Sequence, residues 1–334
     1  MKALVTGAAG HLGEALALRL TDRGDEVVGL DRLTSPQVNF VGEIGDEDFI
    51  DRAMVGVEIV FHAATLHKPH VATHSRQAFI DTNITGTNIL LNAAQRAGVR
   101  AFVFTSTTSV FGEAMATVDC APSVWVDESL SPRPRNIYGL TKLASEGLCT
   151  LAQRETDLAT ICLRTARFFP EEDDDPQIAT AFAVDNVKLN EFLYRRADIE
   201  DVTEAHLLAA EHAAMAGPGP FVVSSTTPFS REDLAELGAH APAVLARRVP
   251  EYVAVYERLG WRMFPAIGRV YDNAAARRAL GWTPKHDYCS MLAQVSDGRP
   301  PASDLARAVG EKGYHRKGRL PDAPSRHETA RAIC

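Results

Sequence analysis

The stretch TGAAGHLG, residues 6–13, constrains the fold more than any other part of the chain. Its glycines at 7, 10 and 13 follow the apolar segment KALVT directly and open the amphipathic segment HLGEALALRLTDRG. Gly7 allows a tight turn, Gly10 lets the backbone approach a pyrophosphate closely, and Gly13 lets a helix pack on a strand. The free N–H groups of the helix N-terminus can then bind phosphate oxygens. The sequence therefore predicts a nucleotide-binding strand–loop–helix unit.

Further apolar segments alternate with helical patterns along the first two thirds of the chain. The segments EVVGLD, VEIVFHAA, VRAFVFTS and LATICLRTA are typical of buried strands, and amphipathic stretches separate them. Alternation of this kind predicts an α/β protein with a Rossmann-type, doubly wound parallel sheet and helices on both faces.

The same pattern divides the chain into regions. Residues 1–168, rejoined by about 197–224, are predicted to form the dinucleotide-binding Rossmann domain. Residues 169–196 and 225–295 are predicted to form a smaller, mostly helical region that binds the substrate. Residues 296–334 are polar and rich in Pro, Gly and Arg, which indicates a loosely ordered C-terminal tail.

Charge and cysteine content exclude several classes of partner. The formal net charge is −8 and no block of basic residues occurs, which argues against nucleic acid as a partner. No apolar run is long enough for a membrane span, and the N-terminal apolar run is too short for a signal peptide. The five cysteines contain no Cys-x-x-Cys pair, as is typical of reduced thiols. We expect a cytoplasmic protein with a small-molecule substrate.

Asp31 ends the second predicted strand, 18 residues beyond Gly13. A carboxylate at this place accepts hydrogen bonds from the adenosine ribose and would repel a 2′-phosphate. The residue therefore favours NAD over NADP as the cofactor. Arg32 is adjacent and leaves NADP open as the less favoured alternative.

Tyr138 and Lys142 stand four residues apart in the segment YGLTK. On a helix this spacing places both side chains on one face. Free tyrosine has a pKa of about 10 and is a poor base at neutral pH. A nearby ammonium favours the phenolate, so the pair is suited to take a proton from a substrate hydroxyl.

Six further segments follow one another along the chain in an order that can be compared with known families. They are GEIGDED at 42–48, VFHAAT at 60–65, DTNITGTN at 81–88, TSTTSVFG at 105–112, YGLTK at 138–142 and DIEDVTEAH at 198–206. Together with the Gly-x-x-Gly-x-x-Gly loop, they make the chain resemble the extended branch of the short-chain dehydrogenase/reductase superfamily. More narrowly, it resembles the NAD-dependent epimerase/dehydratase family, which includes UDP-galactose 4-epimerase.

The resemblance implies a set of residues that bind the cofactor. They are Gly7, Gly10, His11, Leu12, Gly13, Asp31, Arg32, Glu43, Ile44, Ala63, Ala64, Thr65, Asn83, Thr105, Tyr138, Lys142 and Phe168. Glu43 and Ile44 would flank the adenine, although Glu43 could equally be a solvated loop carboxylate. Asn83 would fix the cofactor and the catalytic helix.

The resemblance also completes the predicted catalytic site. Thr107, five residues before Gly112, would hydrogen-bond the reacting oxygen beside Tyr138 and Lys142. The neighbouring hydroxyl residues leave a one-residue displacement open. These neighbours are Thr105, Ser106, Thr108 and Ser109.

The substrate half departs from the family pattern. Phe169 stands where members that act on nucleotide sugars commonly carry an asparagine that touches the phosphates. An arginine–aspartate pair expected before the last helix of the domain is replaced by the run 194–196. Substrate contacts are assigned to His67, Thr108, Phe169 and Arg195, and the departures put a nucleotide-sugar substrate in doubt.

Two clusters could suggest a metal. The histidines His62, His67, His70 and His74 lie close in sequence, and residues 171–175 are acidic. The histidines have no acidic or cysteine ligand paired with them, and the acidic run is typical of a solvated, mobile lid. We therefore expect no metal.

Three functions are compatible with these residues. The first is an epimerase or related enzyme that oxidises a sugar hydroxyl transiently and retains NAD, with a sugar or sugar nucleotide as substrate. The second is a net dehydrogenase or reductase of a smaller, non-nucleotide substrate. A sensor or scaffold without turnover is least favoured, because the catalytic residues are all present. The resemblance also implies a homodimer formed through the helices that contain Asn83 and Tyr138.

Overall fold

The computed structural model of the protein describes residues 1–116, 121–171 and 176–312. The strands are β1 (Lys2–Thr6), β2 (Glu26–Asp31), β3 (Phe40–Val41), β4 (Ile59–His62), β5 (Ala101–Thr107), β6 (Val124–Val126), β7 (Ala159–Thr165), β8 (Phe221–Val223) and β9 (Arg269–Tyr271). Seven of these form a parallel sheet in the order β3-β2-β1-β4-β5-β7-β8. β6 and β9 pair as a separate parallel ribbon.

The sheet changes direction of growth between β1 and β4. The chain runs outward from β1 to β2 and β3, then returns to the other side of β1 through β4. Loops after the carboxyl ends of β1 and β4 therefore separate and leave a crevice, which is where open α/β sheets bind ligands. The predicted Rossmann-type fold is confirmed.

Helices cover both faces of the sheet, as the sequence predicts. They are α1 (His11–Asp22), α2 (Glu47–Ala53), α3 (Arg76–Phe79), α4 (Gly86–Arg96), α5 (Ile137–Glu155), α6 (Pro176–Ala181), α7 (Val184–Phe192), α8 (Ile199–Ala216), α9 (Leu234–Arg248), α10 (Tyr252–Leu259), α11 (Ala274–Leu280), α12 (Tyr288–Ser296) and α13 (Asp304–Val309). On one face α1, α8 and α11 pack on the sheet. On the other face α2, α4 and α5 do so. In the described residues no helix is both long and apolar enough to cross a membrane.

Side-chain caps fix where the important helices begin. Asn136 accepts a hydrogen bond from the backbone N–H of Gly139 over 3.0 Å, and α5 starts at the next residue. The N–H groups of a first turn have no partner inside the helix, so such a cap stabilises the helix by about 1 kcal/mol. The cap also fixes the position of Tyr138, which lies in that first turn.

A second hydrophobic core lies outside the sheet. It joins α7, α9, α10 and α12 with strand β9, and its largest buried side chains include Phe192, Tyr256 and Tyr288. Tyr256 donates a hydrogen bond to Asn190 Oδ1 over 2.7 Å, so its buried hydroxyl has a partner. This core supports one wall of the crevice.

The predicted loosely ordered tail from residue 296 is wrong for its first part. After α12 the chain forms α13, whose Val309 is buried against Ala15 and Ile199. Leu305 and Ala306 of α13 pack in the same cluster, although the segment is polar overall. The rest of the predicted tail, residues 313–334, lies outside the described residues.

The acidic run predicted to be a solvated lid is likewise wrong at its first residue. Glu171 is buried and forms an ion pair with His11 over 3.1 Å between Oε1 and Nε2. A buried carboxylate needs such a partner to offset its loss of hydration. Residues 172–175 lie outside the described part of the chain.

Candidate functional site

A cavity of about 780 Å³ occupies the crevice at the carboxyl ends of the central strands. The predicted cofactor residues that line it are Gly7, Gly10, His11, Leu12, Gly13, Asp31, Arg32, Glu43, Ile44, Ala63, Ala64, Thr65, Thr105, Tyr138 and Phe168. The predicted substrate residues His67, Thr108, Phe169 and Arg195 and the predicted catalytic Thr107 line it too. Its volume is within the usual range for small-molecule sites. Residues predicted from separate motifs thus share one cavity.

The glycine loop packs so closely on backbone that Gly7 and Gly13 have no room for a side chain. Gly7 has a φ of +74°, and a Cβ there would lie 2.8 Å from the backbone nitrogen of Ala64. A Cβ on Gly13 would lie 1.9 Å from the Gly7 carbonyl oxygen. Gly10 precedes α1 in an extended conformation, so the N–H groups of the first turn face the open loop. This cradle fits the pyrophosphate of a dinucleotide.

Asp31 lies at the end of β2, beside the glycine loop. Its Oδ2 accepts a hydrogen bond from Ala9 N–H over 3.1 Å, and its Oδ1 accepts one from Leu33 N–H over 2.9 Å. The residue is half-buried and also lines the cavity. The carboxylate therefore shapes the loop while it faces the place where a ribose would lie.

The residues predicted to flank the adenine lie at the far end of the cavity. Ile44 is buried, whereas Glu43 and Arg32 are exposed. A Cβ on Gly86 would lie 2.7 Å from the Ile44 side chain, so Ile44 packs directly on the start of α4. Ile44 thus offers an apolar surface, and the two charged residues remain hydrated at the rim.

Asn83 does not line the cavity but supports the segment that does. Its Oδ1 accepts hydrogen bonds from Leu66 N–H at 2.8 Å and from the Thr65 hydroxyl at 3.0 Å. Its Nδ2 donates to the Thr141 hydroxyl on α5 at 2.9 Å. Asn83 is in a π-helical turn, residues Ile80–Thr85, a geometry frequent at functional sites. One buried amide therefore joins the phosphate-side loop to α5.

A directed chain of hydrogen bonds runs through His62 behind this segment. The Thr87 hydroxyl donates to the Asn83 carbonyl at 2.6 Å and so accepts from His62 Nε2 at 2.9 Å. His62 Nδ1 then accepts from the Thr6 hydroxyl at 2.8 Å, which itself accepts from Ala64 N–H. Burial, and to a lesser extent Lys142, holds the pKa of His62 well below 6.5. The ring is neutral, with its proton on Nε2.

Thr107 and Tyr138 meet at the end of β5. Their side chains lie close enough for the Thr107 hydroxyl to affect the ionisation of Tyr138. Thr107 also accepts a hydrogen bond from Ser109 N–H over 3.1 Å. Burial raises the pKa of Tyr138 to about 12, and the Thr107 hydroxyl opposes this rise. Tyr138 is therefore a neutral phenol at neutral pH until a positive charge is brought beside it.

The other hydroxyl groups near Thr107 are directed elsewhere. The Thr105 hydroxyl donates to Nε2 of His206 over 2.9 Å, because His206 Nδ1 donates to the Val202 carbonyl over 2.7 Å. Burial lowers the pKa of His206 to about 4, so this ring stays neutral. The Ser106 hydroxyl donates to Glu146. Of these three neighbouring positions, Thr107 is the one whose hydroxyl meets Tyr138.

Lys142 lies one helical turn after Tyr138, behind the cavity wall. It is 2% exposed, and its Nζ lies 4.0 Å from the ring centroid of Phe104. Burial lowers the pKa of Lys142 to about 7, and nearby groups, including Glu146, partly oppose the shift. The lysine therefore changes charge near neutral pH, where a small change of surroundings alters its protonation.

Phe169 lines the cavity within a cluster of aromatic rings. Its ring contacts those of Phe168, His11 and His67 at centroid distances of 4.5, 5.3 and 5.6 Å. Its carbonyl accepts a hydrogen bond from Arg196 Nη1 over 2.8 Å. The side chain thus makes an apolar and aromatic wall where the family pattern has an amide.

The arginines of the substrate region share one carboxylate. Glu191 is 1% exposed and pairs with Arg195 at 2.5 Å and with Arg196 at 2.6 Å. Arg167 lies 3.7 Å from the same group. Arg196, Arg195 and Arg167 overcome the effect of burial and hold the pKa of Glu191 at about 2. The single negative charge of Glu191 thus offsets one of the three positive charges and holds the guanidinium groups of Arg195 and Arg196 in place.

Three of the four clustered histidines contact one another through their rings. The rings of His67 and His70 are stacked at 4.4 Å, and His74 lies 5.1 Å from His70. Within the described ranges, no group of three or more His, Cys, Asp or Glu residues is arranged to hold a metal ion.

Sequence reasoning missed cavity residues that come from the C-terminal third. Arg269, Tyr271 and Lys312 line the cavity together with Met115. Arg269 lies over the rings of Tyr194 and Tyr271, at 5.7 and 5.8 Å from their centroids. The sequence carries no local signal for them, because tertiary contacts alone bring them to the cavity.

A doubly wound parallel sheet, a glycine cradle at its switch point and a Thr–Tyr pair in the same cavity define an NAD-dependent enzyme of the oxidoreductase and epimerase type. The profile of the NAD dependent epimerase/dehydratase family matches residues 3–224. The chain belongs to this family, and its cofactor is NAD.

Individual relatives differ in activity. The chain is 34% identical to a UDP-glucose 4-epimerase of Streptomyces lividans, over 93% of this chain and 99% of that protein. It is 30% identical to a 3 beta-hydroxysteroid dehydrogenase/Delta 5-->4-isomerase of Mycobacterium tuberculosis (strain ATCC 25618 / H37Rv), over 85% and 86% of the two chains. A short-chain dehydrogenase/reductase superfamily protein from Agrobacterium tumefaciens, crystallised with bound NAD, has a TM-score of 0.64 and 24% identity, over 92% and 97%.

Proposed function

We propose that the chain oxidises a secondary hydroxyl of a sugar substrate to a ketone through Thr107, Tyr138 and Lys142, and that the net reaction is epimerisation. The observation that carries the proposal is the proximity of Thr107 and Tyr138, which line the same cavity as the glycine loop. A substrate hydroxyl placed between the pair and the cofactor would have a base and a hydride acceptor at hand.

Each side chain has a distinct part in this scheme. Tyr138 accepts the proton of the substrate hydroxyl, and Thr107 holds the reacting oxygen by a hydrogen bond. Lys142, one turn further on α5, contributes positive charge that favours the phenolate. The glycine loop and Asp31 would hold NAD, which would supply a hydride acceptor for the carbon that bears the hydroxyl and a hydride donor for the opposite face of the ketone. Tyr138 then gives the proton back.

A sugar nucleotide is the substrate class that we favour. The relative from Streptomyces lividans, which spans nearly the whole chain, is named a UDP-glucose 4-epimerase. The guanidinium of Arg269 lies between two tyrosine rings at the cavity and offers a planar donor for a phosphate group. In this role Arg269 would replace Arg195 and Arg196, whose guanidinium groups pair with Glu191.

A net dehydrogenase or reductase of a smaller, non-nucleotide substrate is the second candidate. Glu191 offsets part of the positive charge of the neighbouring arginines, and Phe169 forms an aromatic wall. Both features favour a less charged substrate. The Mycobacterium relative, a hydroxysteroid dehydrogenase/isomerase by name, is similar over a large share of the chain as well. In this case NAD(H) would exchange with solution at every turnover.

We also propose that two copies associate through α5. Leu140 and Leu151 are 55% and 46% exposed, and the exposed Ala144 and Gly147 lie between them on the same helical face. Such an apolar stripe with small residues at its centre allows close packing of a second helix. A cytoplasmic location remains our expectation, and the free thiols of Cys149, Cys162 and Cys289 support it.

Mass spectrometry of the nucleotides released from freshly purified, denatured protein separates the two reactions. Near-stoichiometric NAD(H) would support epimerisation with a retained cofactor. Protein that is empty yet binds NAD reversibly would favour the dehydrogenase or reductase, and would overturn the epimerase proposal if nucleotide sugars also remain unchanged. The Tyr138→Phe variant is the control, because it should carry the same nucleotide without turnover.

A further inference from the structure

The segment from Ser303 to Lys312 is tied firmly to the Rossmann domain at its start. Ser303 N–H donates to Asp198 Oδ2 over 2.9 Å, and the Ser303 hydroxyl donates to Asp198 Oδ1 over 2.6 Å. Both residues are 4% exposed. Buried hydrogen bonds to a carboxylate are among the stronger ones in proteins, so this end of the segment is fixed.

The middle of the segment packs over the glycine-loop helix. Leu305 and Ala306 of α13 pack in the same small cluster as Ala15 of α1. Phe168, which lines the cavity, belongs to this cluster too. The C-terminal helix therefore supports one wall of the cofactor cavity from outside.

The end of the segment turns back to the mouth of the cavity. Gly310 has a φ of +61°, which allows the turn, and Lys312 then lines the cavity together with Gly10. The Lys312 ammonium forms an ion pair with Glu14, in the first turn of α1. The backbone N–H of Lys312 donates to Glu171 over 3.3 Å.

Glu171 joins this end to the glycine loop itself. Its Oε1 lies 3.1 Å from Nε2 of His11, and both side chains are buried. His11 and the backbone N–H of Lys312 together hold the pKa of Glu171 at about 2, although burial alone would raise it. The glycine loop, the loop after Phe169 and the C-terminal segment thus meet at one carboxylate.

The charge of Lys312 is placed where a bound diphosphate needs it. The first turn of α1 attracts phosphate through its free N–H groups, but the carboxylate of Glu14 in that turn repels it. Lys312 neutralises Glu14, and its side chain is only 19% exposed. An ammonium at this place can turn from the carboxylate to a phosphate oxygen with little movement of the chain.

We propose that Ser303–Lys312 is a clasp over the diphosphate of the cofactor, and that Lys312 is a further cofactor-binding residue. The clasp slows cofactor release, because the diphosphate leaves only when Lys312 and its link to Glu171 separate from the glycine loop. The proposal rests on NAD as the family's cofactor and is independent of the substrate.

The dissociation rate of NADH tests the clasp directly. Full-length protein loaded with NADH is mixed with excess ADP-ribose, and the loss of bound NADH fluorescence is followed by stopped flow. Lys312→Met should release NADH about tenfold faster, as expected for the loss of one charge-assisted hydrogen bond. Lys312→Arg keeps the charge and should stay close to the unsubstituted protein. A Lys312→Met rate equal to that of Lys285→Met, an exposed lysine outside the cavity lining, would overturn the proposal.

A second variant separates contact with the diphosphate from neutralisation of Glu14. If Lys312 binds the diphosphate, Lys312→Met should still speed NADH release in the Glu14→Gln background. Recovery of the original rate in the double variant would show that Lys312 only compensates Glu14, and would overturn the contact. Adenosine, which lacks the diphosphate, should bind all these variants equally in a fluorescence competition assay.

Discussion

The backbone N–H of Ala9 donates a hydrogen bond to the Asp31 carboxylate over 3.1 Å, and so links the glycine loop to the end of β2. The second carboxylate oxygen accepts from Leu33 N–H. Asp31 therefore has two roles that substitutions can separate. Its charge disfavours a 2′-phosphate, while its oxygen atoms hold the loop in shape.

Substitution of Asp31 can separate the two roles. Asp31→Asn keeps a side-chain acceptor for Ala9 but removes the charge, whereas Asp31→Ala removes both. We expect both variants to raise the ratio of NADPH to NADH affinity about tenfold, and only the alanine variant to weaken NADH binding further by loosening the loop. Fluorescence titration with each nucleotide measures these affinities. An unchanged ratio in both variants would remove Asp31 from cofactor discrimination.

Loss of the Tyr138 hydroxyl should stop turnover but leave the cofactor bound. We expect Tyr138→Phe and Thr107→Val to lower kcat by about 10²–10⁴-fold, because each removes a group that holds or accepts the reacting proton. Thr107→Ser keeps the hydroxyl and should retain most of the activity. Steady-state kinetics and NADH fluorescence provide the two readouts. Near-normal kcat in Tyr138→Phe would contradict the mechanism.

The ionisation of Tyr138 should depend on the cofactor. With burial holding the pKa of Tyr138 at about 12 and that of Lys142 at about 7, cofactor-free protein should contain neutral Tyr138 up to pH 10. The positive nicotinamide ring of NAD+ should lower the tyrosine pKa, and the tyrosinate that forms should in turn favour protonated Lys142. Tyrosinate absorbance of the unsubstituted protein minus that of Tyr138→Phe, with and without NAD+, measures the shift. A tyrosinate signal below pH 10 without NAD+ would contradict it.

The glycine loop, the alternation of strands and helices and the Tyr138–Lys142 spacing could be predicted because each depends on local sequence. A turn that requires a positive φ at Gly7 and a helix that repeats every four residues leave signatures within a few positions. Cap residues such as Asn136 act over the same short range. Local signals were therefore sufficient for the Rossmann domain and for most of the cavity residues from its motifs, although Asn83 and Lys142 lie behind the cavity lining.

Residues brought in by tertiary contacts could not be predicted in this way. Glu171 belongs to an acidic run that is typical of solvated loops, but its pairing with His11 buries it. Lys312 follows a polar segment, and its position depends on the anchoring of Ser303 to Asp198. Nothing near these residues in sequence encodes their partners, since the contacts join positions that are far apart along the chain.

Charged substitutions on the exposed face of α5 should change the oligomeric state. If two copies pack through this face, Leu140→Glu and Leu151→Glu should bury unpaired carboxylates and convert the dimer to a monomer. Met215 is 80% exposed at the end of α8. Met215→Glu is therefore a matched control that should leave the molecular mass of the assembly in solution unchanged. Size-exclusion chromatography with light scattering measures whether each variant is a dimer or a monomer. A dimer that persists in the Leu140→Glu, Leu151→Glu double variant would place the interface elsewhere.

Glu191 should govern acid stability, because it is the shared partner of Arg195 and Arg196. Its pKa is about 2 in the folded protein, well below the ordinary value of 4.5, so its ionised form stabilises the fold above pH 4.5. This stabilisation is lost as the pH falls from 4.5 towards 2. Glu191→Gln should therefore lower the free energy of unfolding at pH 7 by about 3–5 kcal/mol, since it removes the carboxylate that compensates the charge of the buried Arg196.

The difference between Glu191→Gln and the unsubstituted protein should shrink as the pH is lowered to 3 and below, because the carboxylate becomes protonated in the unsubstituted protein as well. Urea denaturation followed by circular dichroism at several pH values measures it. Glu236→Gln removes a surface partner of Arg247 and should leave stability unchanged within error. A pH-independent difference for Glu191→Gln would mean that its loss acts through packing rather than through charge.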